Sequence, residues 1–420
     1  MTRKGHVTRP GGSARAQAQP STPPRGRDDH DAWSVFVVFL RLGLTSFGGP
    51  IAHLGFFRNE FVLRRAWLGE QSYADLVALC QLLPGPASSQ VGMALGRLRA
   101  GYAGALAAWL GFTAPSAIAL ISLADGIAAF GGAVPAGALH GLKIVTVAVV
   151  VQAVWGMARN ACTDKTRVTV MAAATCIGSL VPTIWGQVAV ITTAGLVGLL
   201  FLRQTVDVAA DEFFTLTSRR AGLALLTAFV VLLVGLPLLA HMTPSRTLAV
   251  VDAFYRAGSL VFGGGHVVLP LLQSEVVPRG WVDNDAFLAG YGATQAVPGP
   301  LFAFAAFLGA SMRGTPSGWA GGATCVIAIF APSFLLVMGA LPFWNWLRRD
   351  RRVRSGLAGI NAAVVGLLVA ALYQPIWTSA ILGVRDFVFA VVALVALVVW
   401  RCPPWLVVAG CGATGAVLGV

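Results

Sequence analysis

Arg41-Leu-Gly-Leu-Thr-Ser-Phe-Gly-Gly-Pro50 decides the fold, because the chain repeats it, altered, as Arg256-Ala-Gly-Ser-Leu-Val-Phe-Gly-Gly-Gly265. A second pair lies downstream: Gln81-Leu-Leu-Pro-Gly-Pro86 and Gln295-Ala-Val-Pro-Gly-Pro300. The first pair is offset by 215 residues and the second by 214, so one deletion reconciles them. Between the pairs, Glu60 matches Glu275 and Trp67 matches Trp281; beyond them, Phe112-Thr-Ala-Pro-Ser116 matches Phe330-Ala-Pro-Ser333 loosely. The chain is two copies of one unit. Each copy sets backbone-breaking Gly and Pro inside apolar sequence, and such breaks are costly in hydrocarbon unless they line a site.

A chain of 420 residues that is 56% hydrophobic and 11% charged is not a soluble globule. Residues 100–124, 168–202, 221–240, 314–347 and 402–420 carry no charge. Each run can cross a hydrocarbon layer of about 30 Å, and the longest can cross it twice. These features define an all-α polytopic membrane protein. The net charge of +13 lies mostly in loops and at the N-terminus, as lipid topology requires, and does not call for nucleic acid. The six cysteines show no paired spacing and mostly sit in apolar runs, as buried small hydrophobes do.

Four segments divide the chain. Residues 1–30 read as a disordered basic cytoplasmic tail with Arg3, Lys4, Arg9, Arg15, Arg25 and Arg27, able to touch anionic lipid. Residues 31–203 are the first repeat. Residues 204–247 are a linker with one extra transmembrane helix at about 221–240, and residues 248–420 are the second repeat. Within the first repeat, segments 32–57 and 72–96 are interrupted at Gly48-Gly49-Pro50 and Pro84-Gly85-Pro86. Full crossings would put Arg58, Arg64 and Arg65 outside, whereas re-entrant hairpins keep every arginine inside, so hairpins are expected. Ordinary helices follow at about 101–123, 143–158, 167–181 and 187–203.

An odd span between two equal units inverts the second. The loop charges agree: 125–140 has no Lys or Arg, while its counterpart 343–356 holds Arg348, Arg349, Arg351, Arg352 and Arg354. The basic loop 159–167 corresponds to 374–386, which has only Arg385. The bias has changed sides, as an inverted repeat requires.

A broken helix exposes amides at the start of its second half, and these together with the helix dipole attract an anion. Pro50 and Pro86 suit such starts. Ser88, Ser89 and Gln90 follow in the first turn after Pro86, whereas Leu301, Phe302 and Ala303 stand there in the second copy, so an anion is expected nearer the first copy's tips. Small residues that only let helices pack would account for Gly, but not for Pro-Gly-Pro twice. The candidate substrate-binding set is Arg41, Gly48, Gly49, Pro50, Pro84, Gly85, Pro86, Ser88, Ser89, Arg256, Gly263, Gly264, Pro298, Gly299 and Pro300.

Arg41 and Arg256 stand six residues before their Phe-Gly-Gly tips, where a charge must reach either the interface or an anion. Asp252 is placed to pair with Arg256 across one helical turn, while Arg41 has Val37 there. Glu60 and Glu275 read as solvated loop residues paired with nearby arginines, and Asp75, an acid inside an apolar stretch, either as a proton-coupling group or as the partner of an arginine; all three are candidate coupling groups. His53 and His266 flank the tips and read as structural. No zinc-protease, phosphate-loop, nucleophile-elbow or metal-spaced motif occurs, so neither enzyme chemistry nor a metal or cofactor is expected.

On Phe47-Gly-Gly-Pro50 with Glu60 and Trp67, on Pro84-Gly-Pro86, and on their second-copy equivalents, the chain resembles the chromate ion transporter family, long two-domain type, over about 31–420. The resemblance implies efflux of chromate from the bacterial cytoplasm through the inner membrane, and resistance to it. A homodimer is a possible partner arrangement. The departure is Gly265-His266 where the first copy has Pro50-Ile51, so a matching helix start there is open. Sulfate, a tetrahedral dianion of nearly the same shape, is the alternative substrate. An anion channel would need charge rings or carbonyl filters, and a membrane-embedded enzyme an acid–base set, for which there is no sign.

Overall fold

A computed structural model of the chain describes residues 2, 31–47, 49–130, 135–181, 183–202, 218–262, 265–344 and 350–418. The described residues are helical, with no strand among them. Most of the expected tail, with Gly48, Gly263 and Gly264 of the candidate site, lies outside them.

The first unit opens with α1 (Ala32–Thr45), which Asp31 caps by accepting the Ser34 amide. Its Val35, Val38, Phe39 and Leu42 fall at helical spacing and are buried, a single inward stripe. The chain turns at Gly49, whose φ of +77° is open to glycine, and returns as α2 (Gly49–Phe57), which runs into a π turn at Arg58–Arg64. The return is antiparallel. Ser46 meets His53 near the tip, and farther down Phe39 packs edge-on against Phe57 and stacks on Phe61. The first broken segment is therefore a helical hairpin.

The second is one as well. α3 (Glu70–Leu82) ends ahead of Pro84-Gly85-Pro86, and α4 (Ala87–Phe130) returns until the Arg99 guanidinium lies 4.8 Å over the Trp67 ring, beside the start of α3. α4 is not a single rod. Ala100 and Gly101 leave helical geometry, Gly101 with φ +66°, and the arms 87–99 and 102–130 fold back on each other so closely that Gly96 and Gly104 touch through backbone. No residue with a side chain fits at that crossing. The spanning helix therefore begins at 102.

α5 (Ala136–Ala161), α6 (Lys165–Leu180) and α7 (Ile184–Phe201) complete the first unit. α8 (Arg219–Met242), capped by Ser218, follows. It is the most apolar span, at mean hydropathy 2.7. It rises about 36 Å at 1.5 Å per residue, enough to cross a bilayer once, and none of its most apolar stretch is buried within the protein. It is a lipid-facing strut between the repeats.

The second unit follows the same order: α9 (Arg246–Leu260), α10 (Val268–Val276), α11 (Asn284–Thr294), α12 (Phe304–Ser311), α13 (Gly318–Ala340), α14 (Arg351–Ala371), α15 (Val384–Val398) and α16 (Pro404–Leu418). Before α10 stands one 3-10 turn, Gly265–Val267. The second return arm thus starts without the proline of the first, which answers the question left by Gly265-His266.

The repeats exchange their ends. α14 packs on α6 and α7 of the first unit, with Gly359 against the Ala194 backbone and Gly366 against Met171. Reciprocally, α5 packs on α15 and α16 of the second, with Gly141 against the Cys411 backbone and Gly415 against Gly137. Lipid tails are as apolar as leucine, so these contacts rest on close packing and on interhelical hydrogen bonds such as Thr175 Oγ1 to the Gly366 carbonyl, 3.1 Å, and Thr146 Oγ1 to the Leu288 carbonyl, 3.2 Å. Two repeated units joined by one span, each built on broken helices, make this an all-α membrane protein.

Candidate functional site

The four breaks meet at the centre, and they meet across the repeats. The Gly85 amide donates to the Val261 carbonyl at 2.7 Å, and the Gly299 amide donates to the Ser46 carbonyl at 3.1 Å. Each Pro-Gly-Pro tip thereby pairs with the other unit's Phe-Gly-Gly tip. Gly85 (φ +120°) and Gly299 (φ +113°) hold left-handed conformations that favour glycine. The next layer is reciprocal too. A Cβ on Gly85 would overlap Ser333 Oγ, and one on Gly299 would lie 2.8 Å from Ser116 Oγ. Pro50 of one unit approaches Gly265 of the other, beside Leu301.

The tip amides and the helix-start amides are distinct. Those of Gly85 and Gly299 are consumed in joining the repeats and cannot receive an anion. The donors that remain lie in the first turn of α4, after Pro86, and in side chains around it. Ser88 and Ser89 are each 2% exposed, and Gln90 is fully buried. Gln90 Nε2 donates to the Pro84 carbonyl at 2.7 Å and so braces the tip. His53 lies between hairpins, with Nε2 3.2 Å from the Ser46 carbonyl and Nδ1 3.4 Å from Ser88 Oγ. The hydroxyls of Ser46, Ser89, Thr113 and Ser333 are buried without a hydrogen-bond partner among the described residues. An unsatisfied buried hydroxyl costs about 1–3 kcal/mol; Ser89, in the first turn after Pro86, and Ser333, against Gly85, put two such groups at one tip with no partner among the described residues.

The second copy offers little of this. Leu301, Phe302 and Ala303 are buried apolar residues where Ser88, Ser89 and their neighbours would stand, behind Pro298-Gly299-Pro300. His266 is hydrogen-bonded to the Tyr291 hydroxyl, Nδ1 to oxygen 2.6 Å.

The charged candidates divide differently from the sequence expectation. Arg41 is exposed and lines a cleft between α1 and the π turn with Thr45, Asn59, Glu60 and Arg64. Arg256 is buried, bonded to Asp252 at 2.7 Å and to Glu275 at 2.8 Å. Glu275 is not a solvated loop residue. It lies in α10, 1% exposed, and also binds Arg279 at 2.7 Å. The correction has a simple cause: α10 carries Glu275 inward against α9, where two arginines offset the cost of burying it. Glu60 keeps more of the expected character, held by Arg64 at 2.8 Å and Arg65 at 2.6 Å near the surface. Asp75 is half-buried on α3 and engaged, away from the tips.

The structure thus gathers Gly49, Pro50, Pro84, Gly85, Pro86, Ser88, Ser89, Pro298, Gly299 and Pro300 at the centre and leaves the arginines and acids outside it. Sequence reasoning missed Ser46, His53, Thr113, Ser116 and Ser333 as site residues. The signal for Ser116 and Ser333 was present in the repeated Ala-Pro-Ser, which marks the helix face each Pro-Gly-Pro tip rests on. No group of metal-ligating side chains occurs among the described residues.

Comparison with known proteins places this architecture. A chromate transport protein of Pseudomonas aeruginosa is 27% identical over 80% of this chain and 79% of its own. One of Cupriavidus metallidurans is 25% identical over 87% and 86%. An uncharacterised transporter of Bacillus subtilis, YwrB, is 29% identical over 37% of this chain and 79% of its own length, about one repeat. No solved structure matches. The chromate transporter family model matches twice, over residues 33–199 and 248–416, one match for each copy. The chain belongs to the chromate transporter family, whose members are membrane transporters.

Proposed function

We propose that the protein exports chromate, a tetrahedral oxyanion, from the bacterial cytoplasm across the inner membrane and so confers resistance to it. The observation that carries this reading is the junction of the breaks. Ser89, in the first turn of α4, and Ser333, against Gly85, put buried hydroxyls at a helix start on the contact between the two repeats, with no partner of their own among the described residues. Hydroxyls and first-turn amides solvate an anion without a fixed countercharge, so the ion can also leave. The repeats give the site two approaches, one between each pair of hairpins.

Export follows from the membrane potential. Moving charge outward from a negative interior yields about 2.3 kcal/mol per charge per 100 mV, twice that for a dianion. The N-terminus is cytoplasmic in this reading, which puts Arg58, Arg64 and Arg65 on the positive side of the loop rule.

The test is uptake of labelled chromate and sulfate into everted vesicles that hold equal amounts of folded protein. Uptake driven by an imposed potential is expected, lost in Ser88→Ala/Ser89→Ala. Absence of chromate uptake by the wild type overturns the reading, and preference for sulfate changes the substrate to that ion.

A further inference from the structure

The two hairpins α1–α2 and α9–α10 are homologous, yet their charges are arranged oppositely. In the second, Arg256 sits in a neutral cluster of two arginines and two acids, closed by contacts of 2.7–2.8 Å. In the first, Val37 replaces Asp252. Glu60 is taken up by Arg64 and Arg65. Arg41 has no carboxylate partner among the described residues, and beside it lies a cleft of about 220 Å³.

We infer that the Arg41 cleft is an oxyanion-loading site separate from the tips, and that the second repeat carries the same site plugged by its own carboxylate, Asp252. The inference rests on the oxyanion reading above for the identity of its ligand.

The second repeat shows what the geometry accepts. Asp252, four residues before Arg256, lays a carboxylate oxygen on the guanidinium, and a carboxylate and a tetrahedral oxyanion present that fork with the same pair of acceptor oxygens. Val37, one helical turn before Arg41, offers the guanidinium no acceptor, and the cleft on its other side is walled by Val38, Leu42, Thr45 and Phe56. Thr45 and Asn59 add polar groups to the wall, and Arg41 with Arg64 outweighs Glu60 by one positive charge. Roughly 30 Å³ suffices for one water, so the cleft admits an oxyanion with part of its hydration. Arg41 lies one to two turns of α1 below Ser46, so an ion held there is within a short step of the tips. The plugged partner site gives the transporter polarity: one mouth gathers anions, and the other holds none back as they leave.

The probe is radiolabelled sulfate, bound at equilibrium to purified full-length protein in chloride buffer. The measurement uses a Ser89→Ala/Ser333→Ala background, so that the tips contribute little. Sulfate binding is expected to persist there. Adding Val37→Asp, which grafts the plug, should weaken it at least about tenfold, the loss of one charge-assisted bond. Arg41→Gln should do the same, while Arg41→Lys keeps part of the affinity. Folded Val37→Asp protein that binds sulfate as its parent does overturns the inference. Should that variant fail to fold, unchanged binding by Arg41→Gln overturns it. The two readings fail separately. A wild type that transports while these variants bind normally sinks the loading site alone. Arg41-dependent sulfate binding without transport sinks the export reading alone.

Discussion

At the residue scale, Gly85 concentrates three demands. Its amide links the repeats, its φ lies where side chains are strained, and the place a Cβ would take is filled by Ser333 Oγ, with Gln90 Nε2 at 2.8 Å. Gly85→Ala should therefore cost about 1–3 kcal/mol from backbone strain alone, read as a lower melting temperature of purified protein. Gly299→Ala carries similar backbone strain but a looser approach, 2.8 Å to Ser116 Oγ, and should cost less. Adding Ser333→Ala to Gly85→Ala should return part of the lost stability, because the hydroxyl is the nearest obstacle. Additive losses in that double variant would mean that strain, not crowding, dominates. Ser89 behaves differently, since its hydroxyl has no hydrogen-bond partner among the described residues, and Ser89→Ala should show in transport rather than in melting, whereas Ser88→Ala also removes the contact to His53.

At the element scale, the hairpins show one design with two energies. α9–α10 is closed by a buried network in which Glu275 serves two arginines, while α1–α2 is open around Arg41. Removing one partner of a buried pair leaves an uncompensated charge, at about 3–5 kcal/mol. Arg256→Gln should accordingly lower thermal stability strongly, and Arg41→Gln should leave it within about 0.5 kcal/mol, as for a surface change. Comparable melting of the two variants would contradict the structural division between a closing residue and a ligand-facing one. In transport per folded protein the order reverses: Arg41→Gln abolishes export, and Arg256→Gln impairs it less. The Pro-Gly-Pro hairpins account for the glycine crossings. Gly96 against Gly104 in α4, and Gly309 against Gly321 between α12 and α13, bring backbones into contact where a returning arm must lie flat on its spanning helix.

At the scale of the whole molecule, inversion predicts which loops share a side. Asp164 begins α6 and Gly383 begins α15, at equivalent places in the two copies, and both are exposed. Single cysteines at these positions, in a cysteine-free background, should react with an impermeant reagent from opposite sides of the membrane. Labelling from one common side would remove the inverted topology, and with it the argument for two approaches to one central site. Exchange of the terminal helices adds a second expectation. The units are interlocked through α5 with α16 and α14 with α6 and α7, so neither half expressed alone should give a monodisperse protein, whereas co-expressed halves should associate.

Much of this was determined by the sequence alone. Repetition of the glycine and proline breaks, the charge-free runs and the swap of loop charges require two copies, a membrane and an odd span between them, because period, length and charge bias are properties of the linear chain. The loop arginines favour re-entrant hairpins, because only those keep Arg58, Arg64 and Arg65 on the inner side. What only the tertiary structure decided are the partners across the repeats. The Gly85 amide finds Val261, Gly299 finds Ser46, and Ser333 closes over a tip some 250 residues away in the chain. No local pattern encodes such pairings, since each depends on how two units dock. For the same reason Glu60 and Glu275, alike in sequence, part company in space. Each holds two arginines, but α10 carries Glu275 inward against α9, while Glu60 stays at the edge of a cleft.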